Sequence, residues 1–392
     1  MSARESWRSL TIGELGRVVT GGTPSATASD RFDGSLPFVT PTDLDRESRT
    51  PVITRFLSDR AGRELSKRII PPRSVCFTCI GATIGKMCLT DTTAVTNQQI
   101  NSIVVDTEDN DPAFVYYRLL VDRDQIGARA GGAATPIISK SVFEGIPVSV
   151  PPLRTQRKIA AILSAYDDLI ENNNQRIKLL EEMAQRIYHE WFVDFRYPGH
   201  QRVPQTDRVF GKFPHGWIVA PLHDSVELLY GKALKADDRR AGPVPVFGSG
   251  GQVGLHDHAI VGGPGIIVGR KGNVGSVIWS DVPFYPIDTT FYVKTRLPMI
   301  YVYFALRQLD FIDSHAAVPG LNRDQAYGLP FVVPNAQTLA AFERVANLMF
   351  SMKRNLEQNS RTLRTTRDLL LPRLISGEVD VDDLDIQIPD AA

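Results

Sequence analysis

The chain has 392 residues, 43% of them hydrophobic and 22% charged, and its 44 basic residues are balanced by 44 acidic ones. This composition suits a globular protein of two or three domains. No apolar run approaches the roughly 18 residues that a helix needs to span a bilayer. The opening residues, MSARESWRSL, hold no apolar signal core, so secretion is not expected. Cys76, Cys79 and Cys88 cannot all pair, which points to a reducing, cytoplasmic setting. The charge is unevenly spread. From Ser376 onward there are six carboxylates and no Lys or Arg, and without them the body carries 44 basic against 38 acidic residues, net +6. A mildly basic body permits a DNA partner without demanding one.

Residues 1–150 carry short β-branched and aromatic runs, such as 36–40, 75–78 and 100–105, broken by turn signals at Gly21-Gly22-Thr23-Pro24 and Pro71-Pro72. A helix is expected from Pro112 to Val121 with Asp111 as its N-cap, and a shorter one after Ser139. The expectation is a mixed α/β domain.

Residues 151–197 read as a long helix, Pro151 to Glu190, with an aromatic exit. Ile159, Tyr166, Asn173, Leu180 and Ile187 recur every seven residues, with Ile162, Leu169, Arg176 and Met183 as companions and Leu163, Ile170 and Ile177 widening the face. That heptad pattern predicts a coiled-coil seam roughly 57 Å long. Asn173 and Arg176 interrupt it, either as buried register-fixing groups or at a solvent-facing rim. A polar linker is expected over 198–213, within a second domain at 198–334 that begins in earnest at Trp217. A second long helix, Gln337 to Leu371, follows in a C-terminal helical region at 335–375. Phe342, Met349, Leu356, Leu363 and Leu370 form its heptads, Val345, Met352, Asn359 and Thr366 their companions, and Pro372 its stop. Residues 376–392 form the acidic tail.

The halves repeat. Ser6-Trp7 and Gly216-Trp217 open them, and residues 114–117 (FVYY) match residues 301–304 (YVYF). Residues 145–151 (GIPVSVP) align without gaps with 328–334 (GLPFVVP), an offset of 183 that also pairs Ser139 with Asn322 and Lys140 with Arg323. The fold class expected is α+β. Two similar mixed α/β domains are separated by two long helices that pair antiparallel, and the internal repeat is pseudo-twofold. Such a stiff spacer between two differing readers suits an asymmetric, split site on DNA.

The full length then resembles the DNA specificity subunit of Type I restriction-modification systems, in which two target-recognition domains alternate with two helical regions. The first helical region carries the resemblance in 151–160 (PPLRTQRKIA), 167–173 (DDLIENN) and 191–195 (WFVDF), and the second in 371–378 (LPRLISGE). The first domain carries it in 37–44 (PFVTPTDL), 81–86 (GATIGK) and 96–100 (TNQQI). The second does so in 230–234 (YGKAL), 246–254 (VFGSGGQVG), 267–275 (IVGRKGNVG) and 288–292 (DTTFY). The second helical region departs from the pattern, with Pro334-Asn335-Ala336-Gln337 in place of the fuller motif.

The resemblance implies a non-catalytic subunit that binds double-stranded DNA. Its partners would be two methyltransferase subunits and two restriction subunits, which hold the S-adenosylmethionine, ATP and magnesium. No cofactor, metal or catalytic residue is expected in this chain, and no membrane partner. Candidate DNA contacts in the matching segments are Thr40, Thr42, Asp43, Lys86, Lys232, Ser249, Arg270, Lys271 and Asn273. Arg270 and Lys271 beside Gly272 are suited to phosphates or guanine edges, or else crown a solvent-facing hairpin. Asn97, Gln98 and Gln99 can bind adenine or satisfy a strand end. Lys140 and Arg323 follow helix N-caps, where a cation opposes the helix dipole and a phosphate neighbour would be favourable. Trp191, Phe192, Phe195 and Tyr197 are either a dock for a partner helix or a local core.

The glycine loop 248–254 lacks the helix that a dinucleotide site needs. Cys76 and Cys79 have metal-like spacing without a second pair, so core thiols are expected there. Two other classes remain. A self-contained nucleotide-binding enzyme would show activity alone, and a coiled-coil scaffold would show only weak, sequence-independent DNA binding.

Overall fold

The structure, a computed structural model, describes residues 7–24, 31–132, 135–208, 211–311 and 320–388. Ser6, linker positions 209–210 and Asp390 of the acidic tail lie outside them. The chain divides into two compact units, with residues 1–174 and 358–392 in unit 1 and residues 175–357 in unit 2. Both long helices are shared by the two units.

Unit 1 contains β1 (Arg8–Thr11), β2 (Gly16–Thr20), β3 (Leu36–Val39), β4 (Phe56–Leu57), the short helix α1 (Asp59–Glu64) and β5 (Ile69–Ile70). It continues through β6 (Val75–Thr78), β7 (Met87–Leu89), β8 (Ala94–Thr96) and β9 (Ile100–Val105). Two four-stranded sheets result, β2-β9-β6-β7 and β4-β3-β8-β5, with β3 and β8 parallel. All four residues of β6 are buried because the strand is covered on both faces, so its apolar run does not alternate. The helix α2 (Pro112–Gly127) starts where expected and runs one and a half turns further. The Asp111 carboxylate accepts from the amides of Ala113 and Phe114, and Phe114, Val115, Tyr117 and Leu119 enter the core. After α3 (Lys140–Glu144), capped by Ser139, β10 (Pro147–Val150) pairs antiparallel with β1 and leads into α4 (Leu153–Tyr188).

Unit 2 repeats this plan. The hairpin β11 (Gln205–Arg208) and β12 (Gly211–Pro214) lies within the segment expected to be a plain polar linker. Backbone pairing there needs no apolar pattern, which is why the sequence concealed it. Then come β13 (Ile218–Pro221), β14 (Val226–Tyr230), β15 (Val244–Gly248), β16 (Gly251–His256), β17 (Gly265–Gly269), β18 (Val277–Ser280), β19 (Tyr285–Pro286) and β20 (Thr290–Thr295). The sheet β14-β20-β17-β18 has the topology of β2-β9-β6-β7, and β15 pairs parallel with β19 as β3 does with β8. The helices α5 (Met299–Leu306) and α6 (Arg323–Tyr327) follow, with Asn322 capping α6, and β21 (Pro330–Val333) pairs with β13 before α7 (Ala336–Ile375).

The long helices pair antiparallel within each unit. In unit 1, Ile159 and Leu163 of α4 share a core with Leu371 and Ile375 of α7, and Asp167 meets Arg367. In unit 2, Tyr188 packs on Phe342 and Glu181 meets Lys353. On α4 the expected series 159-166-173-180-187 faces inward, as do the widening positions Leu163 and Ile170, but most of its companions do not. Leu163, Ile170 and Ala184 are buried on α4, whereas Leu169 (54% exposed), Arg176 and Met183 (50%) face solvent. On α7 the expected series 342-349-356-363-370 faces inward. Its companions are Leu339, Ala346, Lys353, Ser360 and Arg367, not Val345, Met352, Asn359 and Thr366. A hydrophobicity count passes over seam positions occupied by Asp167, Ala184, Lys353 and Arg367, because ion pairs and small residues fill them. Asn173 is buried in the seam.

Pro372 does not end α7, which continues to Ile375. The proline removes one backbone bond in the last turn, while Leu374 and Ile375 gain full burial in unit 1.

Candidate functional site

At the end of β17 the chain turns through Arg270–Ser276. The amides of Arg270 and Lys271 both donate to the Thr289 carbonyl, at 2.9 and 3.1 Å, and the Leu321 amide donates to the Arg270 carbonyl at 2.8 Å. Gly272 takes φ +79° here, a left-handed conformation that favours glycine and lets the turn close. The backbone is therefore pinned on both sides while the side chains of Arg270 and Lys271 project outward.

These side chains join a cationic group built around one aromatic ring. Tyr230, the last residue of β14 and 47% exposed, has the Arg270 guanidinium 4.9 Å from its ring centroid and that of Arg323 at 5.0 Å. Arg270 Nη1 also donates to the Asp288 carbonyl at 3.2 Å. The Arg323 Nε is buried without a hydrogen-bond partner among the described residues. Lys232, two residues beyond the tyrosine, and Lys271 are exposed. Among the described residues none of these four cations takes part in an ion pair. A guanidinium whose face rests on a ring keeps its N–H edge for a bidentate acceptor, either a phosphate or the O6/N7 edge of guanine. Asn273 is exposed beside this group. Ser249 is buried, and its hydroxyl accepts from the Asn273 amide (3.4 Å) while its carbonyl accepts from Ser276 Oγ (2.6 Å). Ser249 therefore supports the turn from beneath. Sequence reasoning placed Tyr230 in a matching segment but not among the site residues. Its signal, an aromatic at a strand end next to Gly231-Lys232, gains meaning only when both arginines arrive.

Backbone bonds give the counterparts in unit 1. The Cys79 amide donates to Gln99 O (2.7 Å) and the Ile138 amide to Cys79 O (2.9 Å), as the amides of Arg270 and Leu321 do in unit 2. Cys79 thus stands where Arg270 is, Ile80 where Lys271 is, and Thr20 where Tyr230 is. Gly22 stands where Lys232 is, its amide donating to Thr96 O as that of Lys232 does to Pro286 O. The surviving cation, Lys140, forms an ion pair with Glu144 at 3.5 Å. Burial pushes the Cys79 thiol up to about 12, so it remains protonated. In place of cations, unit 1 offers amides. Gln98 is exposed and accepts from Thr23 Oγ1, while Asn97 and Gln99 bond to each other, Oδ1 accepting from the Gln99 amide at 2.8 Å.

Several expected contacts are corrected by burial. Thr40 and Asp43 are 3% and 5% exposed, and the Asp43 carboxylate accepts from the Thr40 amide and hydroxyl, both at 2.7 Å, and from Thr54 Oγ1. Thr42 is exposed, its hydroxyl 2.8 Å from that of Thr40. Lys86 Nζ donates to the carbonyls of Pro41 (3.1 Å) and Leu44 (2.7 Å). Lys86 and Ser276 occupy the same place in the two units, and each ties its turn to the neighbouring loop. Thr40, Asp43 and Lys86 spend these bonds on holding a loop in shape.

The aromatic exit of α4 is also internal. Phe192 and Tyr197 are buried, Phe192 against Trp217, Tyr301 and Phe342, and Tyr197 against Trp217, while Trp191 and Phe195 pack onto the same cluster. A π-helical turn, His189–Val193, rotates the chain into that core. Phe192 and Tyr197 belong to the core of unit 2, and Trp191 and Phe195 are half-buried against it.

Cys76, Cys79 and Cys88 are free and buried, Cys76 opposite Cys88 across β6 and β7. Among the described residues one group has metal-like composition, His256, Asp257 and His258. The Arg240 amide donates to His256 Nδ1 at 3.0 Å, so a neutral His256 keeps its proton on Nε2, 3.2 Å from Asp257 Oδ1. Asp257 also pairs with Arg240 at 2.9 Å. His256 Nδ1 and the Asp257 carboxylate are thus engaged within the protein.

Residues 4–182 match the family described as the Type I restriction modification DNA specificity domain. Over 411 aligned residues the chain is 23% identical to the Type I restriction enzyme MjaIX specificity subunit of Methanocaldococcus jannaschii, covering 97% of this chain and 95% of that protein. It is 29% identical over 182 residues to the HindI specificity subunit of Haemophilus influenzae, covering 45% of this chain and 39% of that one. The crystal structure of a Type-I restriction-modification system S subunit from M. genitalium shares the fold. Its TM-score is 0.60 at 17% identity, over 94% of this chain and 96% of that chain.

Proposed function

Because the chain belongs to the Type I restriction-modification DNA specificity family and is a DNA-recognition subunit, we propose that its two units read the two halves of a bipartite, asymmetric DNA site. The observation that carries this reading is one topology bearing two unlike surfaces. Tyr230, Arg270, Lys271 and Arg323 crown unit 2 where Thr20, Cys79, Ile80 and Lys140 stand in unit 1. Arginine edges favour guanine and phosphate, and the amides of unit 1, of which Gln98 is exposed, favour adenine. Equal loops would read equal half-sites, and these loops are not equal.

The chain supplies recognition and no catalysis. Two methyltransferase subunits, joined by two restriction subunits, supply the chemistry together with S-adenosylmethionine, ATP and magnesium, in the cytoplasm. Docking falls on the solvent-facing apolar positions of the long helices, Leu169 and Met183 on α4 and Val345 and Met352 on α7, which recur at heptad spacing outside the seam. The paired helices set the spacing between half-sites.

Mapping methylated adenines in DNA from cells that express the complex tests the proposal. A single bipartite motif with unequal halves is expected. Methylation without a split motif, or methylation by the chain alone, would overturn it.

A further inference from the structure

Unit 1 contains an arginine-lined cleft of about 720 Å³ that neither the recognition loops nor the helix seam explains. Its walls are the loop after Leu44, the helix α2 and the last turns of α7. Arg46, Arg123, Arg361 and Arg364 line it, with Glu47 and the Arg367–Asp368 pair at its margin. Their charges are poorly matched. Among the described residues, Arg46 Nη2 and Arg123 Nη1 donate to backbone carbonyls, those of Ile84 (3.5 Å) and Arg46 (3.3 Å). Arg361 is exposed and forms no ion pair among the described residues. Arg364 reaches Glu47 at 3.8 Å, but that carboxylate is largely in water, where such a pair contributes little. Arg364 Nε is buried without a hydrogen-bond partner among the described residues.

The repeat shows that the fold does not require this cleft. At the helix offset of 183, Arg361 and Arg364 correspond to Lys178 and Glu181, and Glu181 is tied to Lys353 in the seam. Matching residues 114–117 to 301–304 puts Asp310 where Arg123 stands. Unit 2 has a lysine and two carboxylates where unit 1 has Arg361, Arg364 and Arg123. Arginines held near one another repel, and an anion entering the cleft relieves that cost.

We propose that this cleft is a phosphate-binding channel that takes the sugar–phosphate backbone of DNA outside the bases being read. Forked guanidiniums match phosphodiester oxygens. The cleft also adjoins the Gly81–Lys86 turn, because Arg46 bonds the Ile84 carbonyl and Arg123 lies against Gly85. A strand leaving the reading loops of unit 1 would pass along it.

The test uses the full-length chain and a fluorescent 30-bp duplex of random sequence, titrated at several salt concentrations. The variant Arg361→Gln/Arg364→Gln is compared with Arg186→Gln/Arg344→Gln, which removes equal charge from exposed positions elsewhere. For every phosphate that is no longer neutralised, the slope of log K against log salt should become shallower by about 0.9. A fall of about 1–2 is therefore expected in the cleft variant, with roughly tenfold weaker binding at low salt and little change in the control. Equal slopes in wild type and cleft variant overturn the proposal, as does an equal fall in the control. Titration with ATP separates the two sources of phosphate. ATP binding that the cleft variant loses, with the duplex slope unchanged, assigns the cleft to a free nucleotide. A slope left intact while assembly with the methyltransferase subunits fails assigns it to an acidic partner protein. Either result overturns the DNA assignment. Random duplex carries no target site, so this outcome is independent of whether the two units read a bipartite sequence.

Discussion

Arg367 of α7 and Asp167 of α4 meet inside the helix seam of unit 1, Nη1 to Oδ1 at 2.5 Å, with both side chains less than a tenth exposed. The Tyr117 hydroxyl of α2 donates to the other oxygen of the same carboxylate at 2.5 Å. One carboxylate thus joins both long helices to the domain core. In unit 2 a different pair, Lys353 and Glu181, crosses the seam at 2.9 Å. Residue numbers sum to 534 in each case, so a single antiparallel register accounts for both contacts.

Replacing Arg367 by Met leaves the Asp167 carboxylate buried and unpaired. Destabilisation by about 3–5 kcal/mol is expected. The double variant Asp167→Asn/Arg367→Met should recover much of it, because the amide still accepts from Tyr117. Urea unfolding followed by circular dichroism checks this, and equal losses in the two variants would refute a buried-charge origin.

Alkaline pH should destabilise the protein through its buried tyrosines. Burial, aided by the Asp167 charge, raises the Tyr117 pKa well above its ordinary value, and burial does the same for Tyr301. A raised folded pKa means the stabilising difference is fully present below the unfolded value near 10 and is lost as pH rises above it. Each such tyrosine contributes a slope of about −1.4 kcal/mol per pH unit there. Unfolding free energies measured from pH 9 to 11 should bend downward near 10, and Tyr301→Phe should flatten the bend.

Arg270→Ala or Arg323→Ala should weaken DNA binding by about 1–3 kcal/mol and relax sequence preference at the half-site of unit 2 alone. Tyr230→Phe should be nearly silent, since the ring face is what holds the guanidiniums, whereas Tyr230→Ala should approach the arginine losses. Competition binding with half-site-substituted duplexes distinguishes these outcomes. A uniform loss across all sequences would reassign both arginines to phosphates.

Exchanging residues 1–150 for the corresponding domain of another family member should change one half-site and leave the other. Removing residues 171–177 together with 357–363, which face one another in the observed register, should shorten the accepted spacer by roughly 10 Å, about 3 base pairs, or abolish activity. Unchanged spacing in methylation maps would exclude the helices as the ruler.

Glutamine at Leu169 and Met183 should leave the lone chain folded but weaken its assembly with methyltransferase subunits. Analytical ultracentrifugation of mixtures reads this directly, and unaltered assembly would move the dock off this face of α4.

The sequence by itself determined the repeat, the caps at Asp111, Ser139 and Asn322, and the existence of two long helices. Each of these rests on local chemistry: heptad periodicity, a side-chain oxygen three residues before an amide, or the spacing of matched segments. Only the tertiary structure decided which companion positions complete the seam of each helix, because Asp167, Lys353 and Arg367 are buried there as partners and look solvent-facing when read singly. It also decided which polar residues already have partners within the protein. Lys86, Thr40 and Asp43 have the composition of a binding loop, yet they bond within the domain and hold that loop together. Arg270 and Arg323, 53 residues apart in the chain, become one site only because Tyr230 lies between them. No local pattern encodes that meeting, since a strand end, a turn and a helix start converge there through the packing of the whole unit.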